Sequence, residues 1–282
     1  MKKKVVTMLA VSMAMGALLA GCGGTEKETG TQPAGTEAAG AQDAEELVYA
    51  VEAGSAGEAV AKEKGFQYNS VAAQADALME VASGTSDAAI IDLLMAGAMI
   101  GEGTSYPNMI YTEELTTEEY GIGCRKGSDL DAYINAVLSE TYADGTMQEI
   151  ATTYGVQEAL VEQEAVAYEP IGVDSAVPSD VMYIQEKGTL LVGITDFAPM
   201  DYKDASGQWI GFDADMARIV AEKLGVEVEF VVIDWDNKIM ELDSKNIDVV
   251  WNGMTLTAEV MEAMDCTNAY CNNAQVVVVQ SE

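Results

Sequence analysis

The sequence contains no histidine, and that absence excludes more chemistry than any residue present. Without imidazole there is no Ser-His-Asp or Cys-His nucleophile and no zinc site built on ring nitrogens. No side chain has an ordinary pKa near neutrality for general acid-base work. Arginine is nearly as scarce, with Arg125 and Arg218 alone. Positive charge is thin throughout: 14 Lys and Arg face 47 Asp and Glu, a formal net charge of -33. So acidic a chain repels phosphate backbones, which excludes nucleic acid as a partner. Cysteine is sparse too. Beside Cys22 there are Cys124, Cys266 and Cys271, and three thiols allow three pairings with one left over, or three free thiols; the sequence leaves these open. From this inventory no catalytic residue, metal or cofactor is expected.

What is present begins with Lys2, Lys3 and Lys4, followed by an apolar run from Val5 to Leu19 that closes on Ala20, Gly21 and Cys22. The run is shorter than the ~20 residues of a spanning helix and lacks a charged stop-transfer flank. Residues 1–21 therefore read as a cleaved export signal. The Leu-Ala-Gly-Cys ending resembles a bacterial lipobox, which implies diacylglycerol on Cys22 and an extracytoplasmic protein anchored to the cell membrane. Residues 22–46, rich in Gly, Thr, Ala, Glu and Gln, read as a disordered tether. About 235 residues remain, enough for two modest lobes or one large domain.

From Leu47 onward short β-branched runs alternate with segments at helical spacing. Val48–Val51, Ala88–Ile91, Met109–Tyr111 and Tyr120–Arg125 read as strands, with helices around Ala72–Ala82 and Leu93–Ile100. Two amphipathic helices follow Asp129, separated by a turn at Ala143–Gly145. Residues 162–179, holding Pro170 and Pro178, form a connector. Then Leu190–Ile194, Val226–Ile233, Ile247–Trp251 and Gln275–Val279 read as strands, and Asp213–Leu224 and Asn237–Leu242 as helices. The alternation implies α/β layers with largely parallel sheets. Leu78–Asp92 and Ile239–Gly253 share a pattern of helix, turn, aspartate and buried strand, as expected of two lobes of related build. Ligands of open α/β sheets sit beyond the carboxyl ends of the strands; here those ends carry Asp92, and Asn252 with Gly253.

The stretch GTLLVGITDFAPMDY at Gly188–Tyr202, then Trp209–Asp215, Asp234-Trp235-Asp236, Ile247–Val250 and Met254–Glu259 resemble the polar amino acid solute-binding proteins of ABC importers. The earlier half is similar to the rest of that family, in Ala53-Gly54-Ser55, Ser86–Asp92, Glu118–Gly127 and the turn at Ala143–Thr146. The order is inverted, since in the family the Gly188 block comes first. The resemblance therefore implies a type II periplasmic-binding-protein fold, two-lobed α/β with the ligand cleft between the lobes, in circularly permuted form. Residues 47–120 would be the family's second lobe, and 121–161 an interlobe crossing strand with helices packing on the first lobe. Residues 162–179 would join the family's usual termini, and 180–282 would be the first lobe, ending in a hinge strand. Tyr120–Lys126 would be the covalent crossing, and Gln275–Val279 would approach the hinge as a free end.

The resemblance also implies a site. Phe197 and Trp235 match aromatic positions that sandwich the ligand, although core packing alone would also place them. Asp92 matches the acceptor of the α-ammonium and, from its position, would also N-cap the following helix. Ser55 and Ala56 open a helix, with Ser55 and Glu58 at capping-box spacing, and free amides there would cradle a carboxylate. Asn252, Gly253 and Thr255 fall on opposite-lobe contact positions, and Asp196 adds an ammonium acceptor. Where the family places an arginine that clamps the α-carboxylate, this sequence has Val260. The reading is thus a lipid-anchored monomer binding a small polar solute, an amino acid, for an ABC permease. Alternatives are an amine or other cation without a carboxylate, a ligand-sensing or decayed binding lipoprotein, and a dehydratase-type enzyme on the same fold.

Overall fold

The strands expected from the sequence assemble, in the computed structural model of the protein, into one five-stranded and one six-stranded sheet that share a plan. The structure describes residues 47–171 and 179–281. The export signal, Cys22, the tether and residues 172–178 of the connector lie outside the described residues. Among the described residues no helix is long and apolar enough to cross a membrane.

The chain runs β1 (Val48–Glu52), α1 (Ala56–Lys64), β2 (Gln67–Val71), α2 (Gln74–Ser83), β3 (Ala88–Asp92), α3 (Leu93–Met99) and β4 (Met109–Glu114). It passes through β5 (Glu118–Cys124), α4 (Leu130–Asp144), α5 (Thr146–Tyr154) and α6 (Asp180–Lys187). There follow β6 (Thr189–Ile194), β7 (Tyr202–Lys203), β8 (Trp209–Ile210), α7 (Phe212–Leu224), β9 (Glu227–Val232), α8 (Lys238–Asp243) and β10 (Val249–Thr255). Last come α9 (Ala258–Ala263), β11 (Asp265–Cys266), β12 (Cys271–Asn273) and β13 (Gln275–Gln280). The first sheet has the order β2-β1-β3-β13-β4 and the second β11-β5-β10-β6-β9, with β12 also on β5.

In each lobe a βαβαβ unit lays its first strand between the other two, all parallel: β1 between β2 and β3, β6 between β9 and β10. The inner strands and those ending the units are covered on both faces and read as unbroken apolar runs, with β3 buried at every position, while the edge strands β2 and β9 stay partly exposed. The likeness between Leu78–Asp92 and Ile239–Gly253 is structural: both are a helix, a turn and the third strand of a unit. The aspartate in each does the same job. Asp87 accepts from Val48 N at 2.9 Å and its own amide donates to Val48 O; Asp248 accepts from Leu191 N at 2.8 Å and donates to Leu191 O. Each carboxylate thus pins the start of the third strand to the first. Helices α4 and α5 pack with α6 and α7 on the second sheet, and Tyr154 OH donates to Asp215 at 2.6 Å.

The expected hinge differs from the observed one. Tyr120–Lys126 does not cross between lobes; Glu118–Cys124 lies in the second sheet, antiparallel to β10, and the chain crosses between β4 and β5, at residues 115–117. Nor is Gln275–Val279 a free end of the first lobe. It is an inner strand of the other sheet, antiparallel to both β3 and β4, and the second crossing lies between β12 and β13. The unbroken run of valines in Gln275–Gln280 indicated a strand, but such a run carries no information about which sheet receives it.

Val276, Val277 and Val278 are all buried, and at ~1.5–3 kcal/mol per buried valine their loss approaches the ~5–15 kcal/mol that holds a domain folded. Deleting residues 275–280 should abolish cooperative melting by circular dichroism, and a truncated chain that melts like the full one would refute this strand's place in the sheet.

Candidate functional site

The carboxyl ends of β1, β3, β6 and β10 converge on a cavity of about 450 Å³ between the two lobes. Phe197, Trp235, Asp92, Asn252, Thr255, Ser55 and Ala56 line it, as does Val260. Two expected residues do not. Gly253 is one step behind the wall, its amide donating to Asp213 at 2.7 Å, and a Cβ there would overlap the Phe197 ring. Asp196, exposed, is also absent from the lining. Strand β10 bulges after Val250, and Gly253, at φ +55°, turns Asn252 and Thr255 toward the cavity while the Phe197 ring packs on the gap a side chain would fill.

Several site side chains already have protein partners. Asn252 accepts from the Thr195 amide and hydroxyl and donates to Asp201 at 2.8 Å, so its amide braces the loop after β6. Thr255 OH donates to Glu118 at 3.0 Å. Asp92 makes no capping bond to α3. Its Oδ1 accepts from Tyr120 OH at 2.8 Å, from Gln275 Nε2 at 3.0 Å and from Asn273 Nδ2, while Oδ2 accepts from Gln74 Nε2. Ser55 Oγ does cap α1, accepting from Glu58 N at 3.1 Å, but the reciprocal bond to Glu58 comes from Gly54 N at 3.0 Å. The helix start is thus a capping box displaced by one residue.

The sequence reading missed Glu52, Lys238, Gln74, Glu58, Asp236 and Glu259 in the cavity wall. Glu52 ends β1, the strand beside β3, so the rule that drew attention to Asp92 would have found it. Lys238 opens α8; its Nζ donates to Trp235 O at 3.1 Å and, across the cleft, to Gly54 O at 2.9 Å. It stands 5.0 Å from the Trp235 ring centroid. At Gly54, φ +69°, a Cβ would meet Asp236 Cα at 2.7 Å, so glycine permits the two rims to touch. Neither arginine reaches the cavity. Arg125 binds Asp180 and Ile247 O, and Arg218 binds Asp215 and Trp209 O.

Burial governs the protonation of this wall. It pushes Glu52 up to about 8, helped by the Asp92 charge and opposed by Lys238. It pushes Asp92 up to about 7, with Glu118 adding to the effect and the bonds from Gln74, Tyr120 and Asn273 opposing it. Burial also lowers Lys238, against the pull of Glu52 and Asp236. Behind the wall Asp201 and Asp213, both fully buried, are raised as well, and each retains one oxygen without a partner. Cys124, Cys266 and Cys271 are free thiols, and burial raises all three. Among the described residues no group of three His, Cys, Asp or Glu could hold a metal ion.

Residues 190–282 match the sequence profile of the bacterial extracellular solute-binding proteins, family 3. The L-cystine-binding protein TcyJ of Escherichia coli is 36% identical over 88 residues, 31% of this chain and 33% of that protein. Cyclohexadienyl dehydratase of Pseudomonas aeruginosa is 34% identical over 77 residues, 27% of this chain and 29% of that enzyme. Among solved structures, the arginine-bound form of truncated ArgBP from T. maritima is 41% identical over 29% of this chain and 39% of that one, with a TM-score of 0.28. The matches therefore span about a third of the length of these relatives. Residues 190–282 are thus similar to solute-binding-protein sequence, and the two mixed α/β sheets are consistent with the two-lobed type II architecture.

Because Glu52 and Asp92 hold protons more tightly folded than unfolded, their contribution to stability is complete near pH 4 and is lost as pH rises through about 7 to 8. Ordinary surface carboxylates are ionised in both states over that range and cancel. The melting temperature without ligand should fall between pH 5.5 and 8.5; a flat or rising profile by scanning calorimetry would contradict these two environments.

Proposed function

We propose that the protein captures a small polar solute, an amino acid, in the cleft between its lobes and delivers it to an ABC permease. One observation carries the reading: a cavity of about 450 Å³ between two lobes, walled by Phe197 and Trp235 on one side and by carboxylates and Lys238 around it. That volume lies in the range of small-molecule sites, and rings with a few charged groups suit a ligand that is part apolar and part ionic. The family match over residues 190–282 agrees, and its relatives include binders of cystine and of arginine. Catalysis on the same fold has less behind it, because the cavity wall holds neither histidine nor cysteine.

Circular permutation is part of the proposal. The matched segment follows the family-like stretches at Ala53-Gly54-Ser55, Ser86–Asp92 and Glu118–Gly127, whereas the resemblance implies that it precedes them in the family. Val278 pairs with Ala89 and Tyr49 with Ala88, so the last strand and the first lie one strand apart, at roughly 10 Å, and Leu47 and Val279 pack in one cluster. Chain ends this close can be exchanged for a linker without disturbing a core. Anchoring through lipidated Cys22, an extracytoplasmic location and a monomeric state belong to the same reading. Changing Cys22→Ser should move the protein from the membrane to the soluble fraction on centrifugation; retention on the membrane would remove the anchor from the proposal.

Val260 in the wall, with no arginine reaching it, favours a second reading in which the ligand is an amine without a carboxylate. A thermal-shift panel of amino acids and diamines separates the two. A true ligand at a hundredfold its dissociation constant adds ~2.7 kcal/mol, or roughly 5–10 °C for a domain of this size. Val260→Arg should tighten amino acids at least tenfold and leave diamines unimproved. A panel with no shift, for wild type and variant alike, would overturn solute capture.

A further inference from the structure

The cavity holds five carboxylates, Glu52, Glu58, Asp92, Asp236 and Glu259, against Lys62 and Lys238. Most are already answered. Glu58 pairs with Lys62 at 2.9 Å and accepts from Gly54 N and Ser70 OH. Asp236 and Glu259 stand exposed in water at the mouth. Asp92 accepts three donors on one oxygen and one on the other, close to the roughly four acceptor sites a carboxylate offers. Those donors belong to β5, β12, β13 and α2, so this carboxylate is committed to joining the two crossings.

Glu52 is different. Its residue is 4% exposed and it lines the cavity, yet Oε1 has no hydrogen-bond partner among the described residues. Lys238 spends its bonds on two carbonyls and forms no ion pair with it. A buried carboxylate oxygen without a donor is costly, and the side chain that carries it is part of the cavity wall.

Resting on the reading of the cleft as a solute site, we propose that Glu52, and not Asp92, is the seat for the ammonium group of the ligand. The Phe197 and Trp235 rings would take its apolar part, and Lys238, which donates to Gly54 across the cleft, would close the site over it. An arriving ammonium supplies donors to this under-satisfied carboxyl group. The groups that set the charge on Glu52 are Asp92 and Asp76, which oppose ionisation, and Lys238 and the Thr195 hydroxyl, which favour it. The unliganded side chain is therefore held protonated at neutral pH, and binding an ammonium expels that proton to water as the ion pair forms.

Calorimetry on the full chain tests this with L-lysine, cadaverine, which lacks the carboxylate, and hexanoate, which lacks the ammonium. Repeating each titration at pH 7 in two buffers of different ionisation enthalpy counts protons. Expected are binding of L-lysine or cadaverine with release of about one proton, no binding of hexanoate, and a loss of about ten- to a hundredfold for Glu52→Gln with the proton release gone. Glu52→Asp, which keeps the charge, should keep the release at intermediate affinity and guards against a glutamine variant that fails to fold. If the amines bind the wild type and Glu52→Gln equally, with equal proton counts, Glu52 is not the seat while solute capture stands. If none of the probes and no amino acid binds the wild type, both readings fall.

Discussion

The two lobes meet around one buried carboxylate. Asp92 ends a strand of the first sheet, yet its partners arrive from Tyr120 on the second sheet, from Asn273 and Gln275 on either side of one crossing, and from Gln74 at the start of α2. Glu118 stands beside it and takes bonds from Thr255, Gln275 and Asn273. Both chain crossings therefore pass through one polar knot in an apolar surrounding. Since hydrogen bonds strengthen where water is excluded and an unpaired group there is expensive, the knot fixes how the strands leave each sheet, and the position of the cleft wall follows from it.

On the opposite rim the two lobes touch. Lys238 bridges from α8 to the Gly54 carbonyl, and the glycine removes the side chain that would keep Asp236 away. The ammonium has a second anchor, Trp235 O, on its own lobe, so parting the lobes sacrifices one bond while leaving Lys238 held.

How much of this was readable from residues alone depends on the interaction involved. Parallel strands buried on both faces announce themselves, and β1, β3, β6, β9 and β10 were all anticipated, as was the repeat that made the lobes alike. Phe197, Trp235 and Asp92 line one cavity; the strand-end rule pointed to Asp92, and the family resemblance to the two aromatics. Most of the failures share a cause. Whether β13 joins one sheet or the other, whether Asp92 spends its oxygens on a helix or on Tyr120 and Gln275, and whether Lys238 reaches Gly54 are decided by neighbours outside the local segment, 28 residues away for Tyr120 and more than a hundred for Gln275 and Gly54. Gly253 and Asp196 were misplaced for a local reason, since a bulge and a loop shift set which of two adjacent residues faces the cavity.

The interleaving of the two sheets has a kinetic consequence. Gln275 meets Asp92 across 183 residues, and Thr255 meets Glu118 across 137, so each sheet borrows an inner strand from a remote stretch of chain. Pairings that distant must close very long loops before they repay the lost entropy. Neither sheet has a complete set of edges until the other half of the polypeptide has arrived. During that interval β3 and β5 expose unpaired backbone, which makes the nascent chain dependent on dilution or chaperoning in a way that the finished fold conceals.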